Sequence, residues 1–367
     1  MGQFHDKYRI FECVAGSHSY GTNVNTDNYR SDEDTRGIFV AEPSYIISCT
    51  KSIEQEEDAK QDFVSYELRK FLKLAAQNNP NVLELLYTDK ENIKFIDWPF
   101  QKIRDNAHLF LSKKARHTFS GYAMAQLHRI KGHRKWINSP AADIPPVLSD
   151  YCIFMDTLGS ICRVGEEIRK TLEDKFLVQT LGRTTYRVYC DPLGNFNPGC
   201  FNSENNDVKY VDIKEEKLIE RNPYFVGTLT VRWDDFSKDI NDWKGYWNWK
   251  KNRNPVRAKL EEKCNYDSKN ALHLVRLMRM CKEILTEGKV IVRRPDAEEL
   301  LEIRNGKWTY DELIKWAEDM DSEMNELYEK SSLPFSANYD RIDDMYREIV
   351  FEWWKQKGLV STYYNYI

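Results

Sequence analysis

The chain has 367 residues and a formal net charge of −4, with 41% hydrophobic and 31% charged residues. This length allows two or three domains, and the negative charge excludes nucleic-acid binding through overall charge, so such binding would need a local patch. No apolar run approaches the ~18 residues of a membrane helix. The polar start does not resemble a signal peptide, and the eight scattered cysteines form no CxxC pair. We therefore expect a cytoplasmic protein without membrane partners.

The first hundred residues predict a mixture of strands and helices. Residues 8–15 alternate as a strand, the glycine and serine at 16 and 17 break it and start a short helix, and residues 35–40 form a second strand. An acidic connector over 54–61 leads into a short strand at 62–64. Apolar residues at helical spacing then predict helices over 67–76 and 82–87.

The rest of the chain has three further regions. Residues 101–181 read as helical, and residues 182–236 read as a small β-rich insertion because Gly, Asn, Pro, aromatic and β-branched residues dominate there. Residues 237–367 read as a helical C-terminal region. Within it we predict an amphipathic helix over 266–285, a short strand over 289–293, and helices over 296–303, 309–329 and 340–357.

Two acids near the start carry the most information about chemistry. Asp32 and Asp34 lead into the predicted strand at 35–40, close to the turn at Gly16 and Ser17. Acids two residues apart on a strand point to the same face, so these two can share one site. Two acids beside a Gly-Ser turn are the smallest set of groups that could hold a metal-bound triphosphate. A Walker A motif is excluded because no lysine precedes Thr22, and an EF-hand is excluded because a proline stands at its twelfth position. The spacing alone leaves a solvent-facing or helix-capping turn as the alternative.

These motifs resemble the nucleotidyltransferase domain of the DNA polymerase β superfamily, in its phage and bacterial RNA-repair-associated branch. The resemblance rests on GSHSYG at 16–21, SDEDTRG at 31–37, the segment DFVSYELRKFL at 62–72 and NPNVLELL at 79–86. Two later segments, at 266–277 and 300–306, resemble signatures of phage members. Glu33 is a departure, because an apolar residue is usual between the two acids. On a strand its side chain would point away from a metal, exposed or paired on the other face.

The resemblance implies an α+β fold: a nucleotidyltransferase domain over residues 1–100, with a mixed sheet and helices, and a mainly helical C-terminal region, with the active site in a cleft between them. It implies transfer of a nucleoside monophosphate from an NTP, ATP among the candidates, to an acceptor hydroxyl. Two Mg²⁺ or Mn²⁺ ions held ~3.5–4 Å apart would serve that reaction. RNA, such as a tRNA 3′ end, is the favoured acceptor.

The resemblance also assigns the site residues. Asp32, Asp34 and a third acid, Asp62, would be catalytic and hold the metals, with Asp58 and Asp97 as alternatives for the third. The predicted nucleotide-binding residues are Gly16, Ser17, Arg36, Lys269, His273 and Arg276.

Several alternatives stay open. Arg36 would contact phosphate or simply pair with an acid, and the stripe of Lys269, His273 and Arg276 would face a cleft or solvent. The run WKGYWNWKKNRN at 243–254 would stack bases or bury its tryptophans. Transfer of AMP to protein, and a non-catalytic phage factor that binds nucleotide or RNA or inhibits a host protein, are the rival functions. The expected location is a bacterial cytosol or the cytoplasm of a phage host.

Overall fold

The computed structural model describes residues 3–26, 29–59, 62–165, 176–191, 200–202, 207–208, 224–253 and 255–360. The chain divides into two compact units. Unit 1 comprises residues 1–138 together with residues 254–367, and unit 2 comprises residues 139–253. The boundaries expected from the sequence, at 100, 181 and 236, do not coincide with this division.

A mixed five-stranded sheet forms the N-terminal part of unit 1, with the strand order β5-β6-β4-β1-β7. Strand β1 is antiparallel to β4 and β7, β4 is parallel to β6, and β5 is antiparallel to β6. The acidic connector is thus partly a strand, since β5 lies within it. The strands of this part, including the β2–β3 hairpin, are β1 (Arg9–Ala15), β2 (Asn25–Thr26), β3 (Tyr29–Arg30), β4 (Asp34–Phe39), β5 (Gln55–Asp58), β6 (Phe63–Glu67) and β7 (Ile93–Ile96).

Helices pack against this sheet through the apolar positions that the sequence indicates. Helix α4 buries Leu68, Phe71, Leu72 and Ala75. Asn79 caps α5 by accepting a hydrogen bond from the backbone of Asn81 at 3.1 Å. Short 3₁₀ turns lie at Lys90–Asn92 and Ala107–Phe110. The α-helices are α1 (Gln3–Tyr8), α2 (Gly16–Tyr20), α3 (Pro43–Ile46), α4 (Leu68–Ala76), α5 (Pro80–Leu86), α6 (Trp98–Asp105) and α7 (Ala115–Asn138).

Glu67 caps α4 from a buried position and makes stability depend on pH. Its Oε2 accepts a hydrogen bond from the Arg69 backbone at 2.7 Å, and burial raises the pKa of Glu67 to about 7. An unfolded glutamate titrates near 4.3, so the folded chain holds an extra proton between that pH and about 7. The stability that this proton supplies is present below that window and is lost as the pH rises through it.

We therefore expect the free energy of unfolding to fall between pH 4.5 and 7, by on the order of 2 kcal/mol from this group. Glu67→Gln keeps an oxygen for the cap and removes the titration, so its decrease should be smaller by that amount. Urea midpoints of both proteins at half-unit pH steps measure the difference. Parallel pH profiles for the two proteins would contradict the assignment.

Unit 2 is built around an antiparallel sheet of its own, with the strand order β10-β11-β14-β8-β9. A 3₁₀ turn at Leu148–Tyr151 precedes the sheet, and a small hairpin, β12–β13, lies outside it. The strands and the helix of unit 2 are β8 (Cys152–Asp156), β9 (Ile161–Arg163), β10 (Phe176–Thr180), β11 (Thr185–Cys190), β12 (Phe201–Asn202), β13 (Asp207–Val208), β14 (Tyr224–Val231) and helix α8 (Trp233–Asn252).

Strands therefore begin near residue 152, although residues 101–181 read as helical in the sequence. Strands β8 and β9 are only five and three residues long, and β9 is exposed along its length. A hairpin this short and exposed shows no clear alternation of apolar and polar residues. The prediction therefore continues the helical pattern of α7 beyond residue 138, where α7 ends.

The C-terminal part of unit 1 is helical. In α10 the predicted apolar face is confirmed, with Leu274, Leu277, Met278 and Leu285 among its buried residues. Residues 289–293 are not a strand. The C-terminal helices are α9 (Pro255–Cys264), α10 (Ser268–Glu287), α11 (Ala297–Arg304), α12 (Tyr310–Lys330) and α13 (Tyr339–Gln356).

One hydrophobic core joins the two ends of the chain within unit 1. It includes Ile10 and Ile38 from the sheet, Phe119 from α7 and Leu274 from α10. Trp354 of α13 also donates from its indole nitrogen to the Ala41 carbonyl at 2.8 Å. The fold is α+β, as expected, and none of the helices in the part of the chain described is long and apolar enough to cross a membrane.

Candidate active site

A cleft of about 1030 Å³ opens in unit 1 where the sheet, α2, α5, α7 and α10 meet. Most of the residues predicted for the site line it. These lining residues are Gly16, Ser17, Asp32, Asp34, Arg36, Lys269, His273 and Arg276.

The Gly-Ser turn fits closely around Asp34. Ala15 at the end of β1 pairs with Asp34 of β4, so the turn that follows lies beside the Asp34 side chain. Gly16 has φ +66°, a backbone conformation that L side chains rarely adopt, and a Cβ atom there would collide with the Asp34 carboxylate. The glycine is therefore required both for the turn and for the approach of the backbone to the acid.

Gly16→Ala is expected to displace the Asp34 carboxylate and to abolish any reaction that depends on it. The backbone strain alone costs on the order of 1 kcal/mol, so the protein should still fold. Circular dichroism and a thermal melt check the fold, and the transfer assay described below checks the activity. Gly132→Ala is a matched control, because Gly132 lies in α7 with open space around its Cα. Wild-type activity in Gly16→Ala would contradict this account.

Arg36, on β4, bonds both to Asp34 of the same strand and to Asp62, the residue just before β6. Its Nη2 donates to Asp34 Oδ1 at 3.1 Å, and its Nη1 donates to the Asp62 carbonyl at 2.8 Å. Arg36 thus already pairs with an acid, one of the two alternatives that the sequence left open, and it still lines the cleft.

Asp62 lies beside Asp34 in the sheet, but its side chain does not line the cleft. The parallel pairing of Thr35 with Phe63 places Asp62 next to Asp34, and the Thr35 backbone donates to the Asp62 carbonyl at 3.1 Å. Asp62 has φ +46°, so it leaves the extended conformation just before β6, and its side chain is exposed. The two alternatives for the third acid do not line the cleft either: Asp58 lies in β5 and Asp97 at the start of α6. Asp97 caps α6 by accepting a hydrogen bond from the Trp98 backbone at 2.7 Å.

The donor set suits a hard divalent cation. Asp32 and Asp34 supply carboxylate oxygens to the cleft, and Mg²⁺ is commonly held by one or two carboxylates together with substrate phosphates and waters. Within the described residues no group of three or more His, Cys, Asp or Glu side chains is arranged to hold a metal. Two carboxylates leave the remaining coordination positions of such a cation to ligands from outside the chain.

Glu33, between the two acids, turns away from them. Its Oε1 accepts from Lys94 at 2.7 Å, and Lys94 also donates to Thr35 Oγ1 at 3.1 Å. Hydrogen bonding to Lys94 lowers the pKa of the Glu33 carboxyl. This side chain is therefore paired outside the cleft, although Glu33 lies in the loop before β4 and not on the strand itself.

A buried cluster of three side chains lies at the base of the cleft. Arg276 is 3% exposed, its Nη1 bonds to Glu84 Oε1 at 2.5 Å, and its guanidinium stacks over the Tyr20 ring at 3.8 Å. Tyr20 donates to the other Glu84 oxygen at 2.6 Å. Burial lowers the pKa of Arg276, but the charges of Glu84 and Tyr20 and the hydrogen bond to Glu84 together outweigh burial, so the pKa is raised and the guanidinium stays charged.

Sequence reasoning placed Arg276 with the nucleotide and overlooked Glu84 and Tyr20. Both lie in the motifs at 16–21 and 79–86 that carry the resemblance, but no spacing rule joins them to residue 276. Arg129 of α7 and Arg304 of α11 also line the cleft and were not predicted. With Arg36 and Lys269, they add positive charge to the lining of the cleft.

The tryptophan-rich segment is engaged within unit 2. Trp243 and Trp247 of α8 both donate from their indole nitrogens to the Ala142 carbonyl, at 2.8 and 3.2 Å. Lys250 lies 4.6 Å from the Trp247 ring centre. These contacts favour the packing interpretation of residues 243–254 over base stacking.

Residues 4–139 match the sequence model of the RNA repair pathway DNA polymerase beta family. The match confirms the resemblance for this part of the chain and supports a nucleotidyltransferase of the RNA repair branch. It includes the Gly-Ser turn, both cleft carboxylates and Glu84, whereas Lys269, His273 and Arg276 lie beyond it.

The chain is also similar to an uncharacterized protein of Methanocaldococcus jannaschii, with 30% identity over 120 residues. The alignment covers 31% of this chain and 46% of that protein, so the chain spans about half the length of this curated relative. No solved structure matches the chain.

Proposed function

We propose, from the match of residues 4–139 to the RNA repair pathway DNA polymerase beta family, that the protein is a metal-dependent nucleotidyltransferase. It would move a nucleoside monophosphate from an NTP to an acceptor hydroxyl, and the RNA repair pathway in the description of that family supports RNA as the acceptor. The observation that carries the proposal is the pair Asp32 and Asp34, which opens into a cation-rich cleft beside Gly16.

In this reaction the acceptor hydroxyl gives its proton to water and its oxygen bonds to the α-phosphorus. The bond from that phosphorus to the oxygen shared with the β-phosphorus breaks, and pyrophosphate leaves. Bound Mg²⁺ or Mn²⁺ ions, two in the proposed arrangement, would activate the hydroxyl and neutralise the leaving group. Asp32 and Asp34 would hold these ions. Asp62 remains our proposal for the third carboxylate, since its backbone lies next to Asp34 and only its side chain has to turn inward.

The cations of the cleft would hold the triphosphate. Lys269 is exposed on α10 and lines the cleft, with His273 one helical turn further on. Gly16 and Ser17 would let the phosphates approach the backbone of the turn. Arg36 would stay paired with Asp34 and keep its carboxylate oriented. Arg276, already balanced by Glu84, would shape the base of the cleft rather than meet the phosphates directly.

Transfer of label from α-³²P NTPs tests the proposal. The full chain is incubated with Mg²⁺ or Mn²⁺, total tRNA and a protein extract, with one of the four NTPs labelled at a time. Label on RNA establishes the function and identifies the nucleotide, whereas label on protein replaces it with AMPylation-type transfer. No label on either, from folded protein that binds NTP, refutes transfer and favours a binding role.

A further inference from the structure

The sheet of unit 2 has one packed face and one open face. Along β11 the side chains alternate strictly, with Tyr186, Val188 and Cys190 buried and the residues between them partly exposed. The packed face contacts Phe236 of α8 in the core of unit 2. On the other face, Leu177 of β10, which pairs with Tyr189, is also buried, whereas the side chains from β11 to β9 are partly or fully exposed. We call this exposed part, from β11 to β9, the open face.

Strand register arranges the open face in three rows. In the first, Tyr189 of β11 pairs with Phe225 of β14. In the second, Arg187 pairs with Thr228, which pairs with Met155, which pairs with Ile161. In the third, Thr185, Thr230, Ile153 and Arg163 follow in the same order across the sheet. Residues directly opposite each other share a face, so these rows form one continuous surface.

Aromatic and apolar groups on this surface are unusually accessible. Phe225 is 44% exposed and its ring lies edge-on to that of Tyr189, with 5.7 Å between ring centres. Met155 is 41% exposed and Ile161 is 69% exposed. Exposed aromatic rings of this kind can stack on bases without regard to sequence.

The charge of the surface is entirely positive within the described residues. Arg187 and Arg163 lie on it, separated by three strand spacings, or about 14 Å across the sheet, and by one row along the strands, and no aspartate or glutamate of the described residues shares the face. Asp156, the nearest acid along β8, turns its carboxylate into the β8–β9 turn, where Oδ1 accepts from the backbones of Leu158 and Ser160 at 2.9 and 2.8 Å.

We propose that this face binds single-stranded nucleic acid, with bases stacked on Phe225 and Tyr189 and phosphates held by Arg187 and Arg163. Aromatic rings for bases with cations for the backbone are the combination that single strands require. The inference rests on the proposed function only in taking RNA as the ligand, because the surface belongs to unit 2 and the cleft to unit 1.

Fluorescence anisotropy with a labelled 12-nucleotide RNA of mixed sequence and the full chain tests the surface. Phe225→Ala is expected to weaken binding about 10-fold, as the loss of one stacked base predicts. Arg187→Gln should weaken binding and reduce the slope of log affinity against log salt by roughly one contact's share, about 0.7 for a single strand. Phe351→Ala and Arg341→Gln, which remove an exposed aromatic and an exposed arginine from α13, are the matched controls.

Unchanged affinity in both surface variants would overturn the proposal, as would binding of a duplex but not of the single strand. Recruitment of a protein through the same residues, with no RNA affinity, would also overturn it. Binding of single-stranded DNA with the same dependence on Phe225 would support the proposal and show that the surface does not distinguish ribose from deoxyribose.

Asp32→Ala separates this inference from the proposed function. RNA binding should persist in that variant whether or not the wild type transfers nucleotides. Binding that depends on Phe225 and Arg187 without any transfer would refute only the proposed function. Transfer to RNA with binding that ignores both residues would refute only the surface.

Discussion

Asp32→Ala and Asp34→Ala are each expected to lower nucleotide transfer about 1000-fold, while the protein remains folded. Both carboxylates line the cleft, and losing the charge stabilisation of a bound cation removes several kcal/mol from the transition state, at 1.36 kcal/mol per factor of ten. Asp32 is exposed and Asp34 is partly exposed, so removing them leaves no core cavity. Initial rates of label transfer, measured beside thermal melts, give the comparison.

Glu33→Gln is the matched control for these variants. It removes a carboxylate from the same segment, but one that pairs with Lys94 outside the cleft. We expect it to retain activity within about threefold, since an exposed ion pair contributes little. Equal losses of activity in all three variants would mean that the reaction depends on the conformation of residues 32–34 and not on the two carboxylates in the cleft.

The same assay identifies the third carboxylate. Asp62→Ala should approach the loss seen in Asp34→Ala if the Asp62 side chain turns inward during the reaction, and Asp58→Ala and Asp97→Ala should then stay active. Asp97→Ala will also lose the α6 cap, which costs about 1 kcal/mol of stability. Its activity therefore has to be measured well below its melting temperature.

Glu84→Gln is expected to destabilise unit 1 by about 3–5 kcal/mol, because it leaves the buried Arg276 charge without its partner. Both side chains of this pair are almost fully buried, at 4% and 6% exposure. For a unit of this size the loss corresponds to a fall of roughly 10 °C in melting temperature. Differential scanning calorimetry of the full chain measures it.

The double variant Glu84→Gln with Arg276→Met distinguishes an unpaired charge from lost packing. It removes both charges and keeps the approximate volume, so most of the stability should return. Tyr20→Phe, which removes only the hydroxyl bond to Glu84, should cost about 1–2 kcal/mol. A Glu84→Gln protein that melts with the wild type would show that Arg276 finds another partner.

The acidic centre was accessible from the sequence because its parts are close along the chain. Gly16, Asp32 and Asp34 lie within twenty residues, and all three line the cleft. Strand alternation was not the reason, because β4 begins only at Asp34 and Asp32 lies in the loop before it. Asp62 was harder, because its left-handed backbone lies just before β6 and removes it from the alternation that β6 follows.

The role of Arg276 was not accessible in the same way. Helical spacing correctly placed it on one stripe with Lys269 and His273, and all three line the cleft. Its partner Glu84 is 192 residues away, and no local pattern indicates which acid a buried arginine will meet. The same holds for α8, where the Ala142 carbonyl, about a hundred residues away, satisfies two tryptophans.

The division of unit 1 into two separated stretches of chain has a consequence for protein synthesis. When a ribosome has completed the sheet and α7, the cleft still lacks α10, and Glu84 still lacks Arg276. The apolar faces that α10 will cover must wait while more than a hundred residues of unit 2 emerge. We therefore expect the nascent N-terminal stretch to expose apolar surface for longer than unit 2 does, and the cleft to be among the last features of the molecule to be completed.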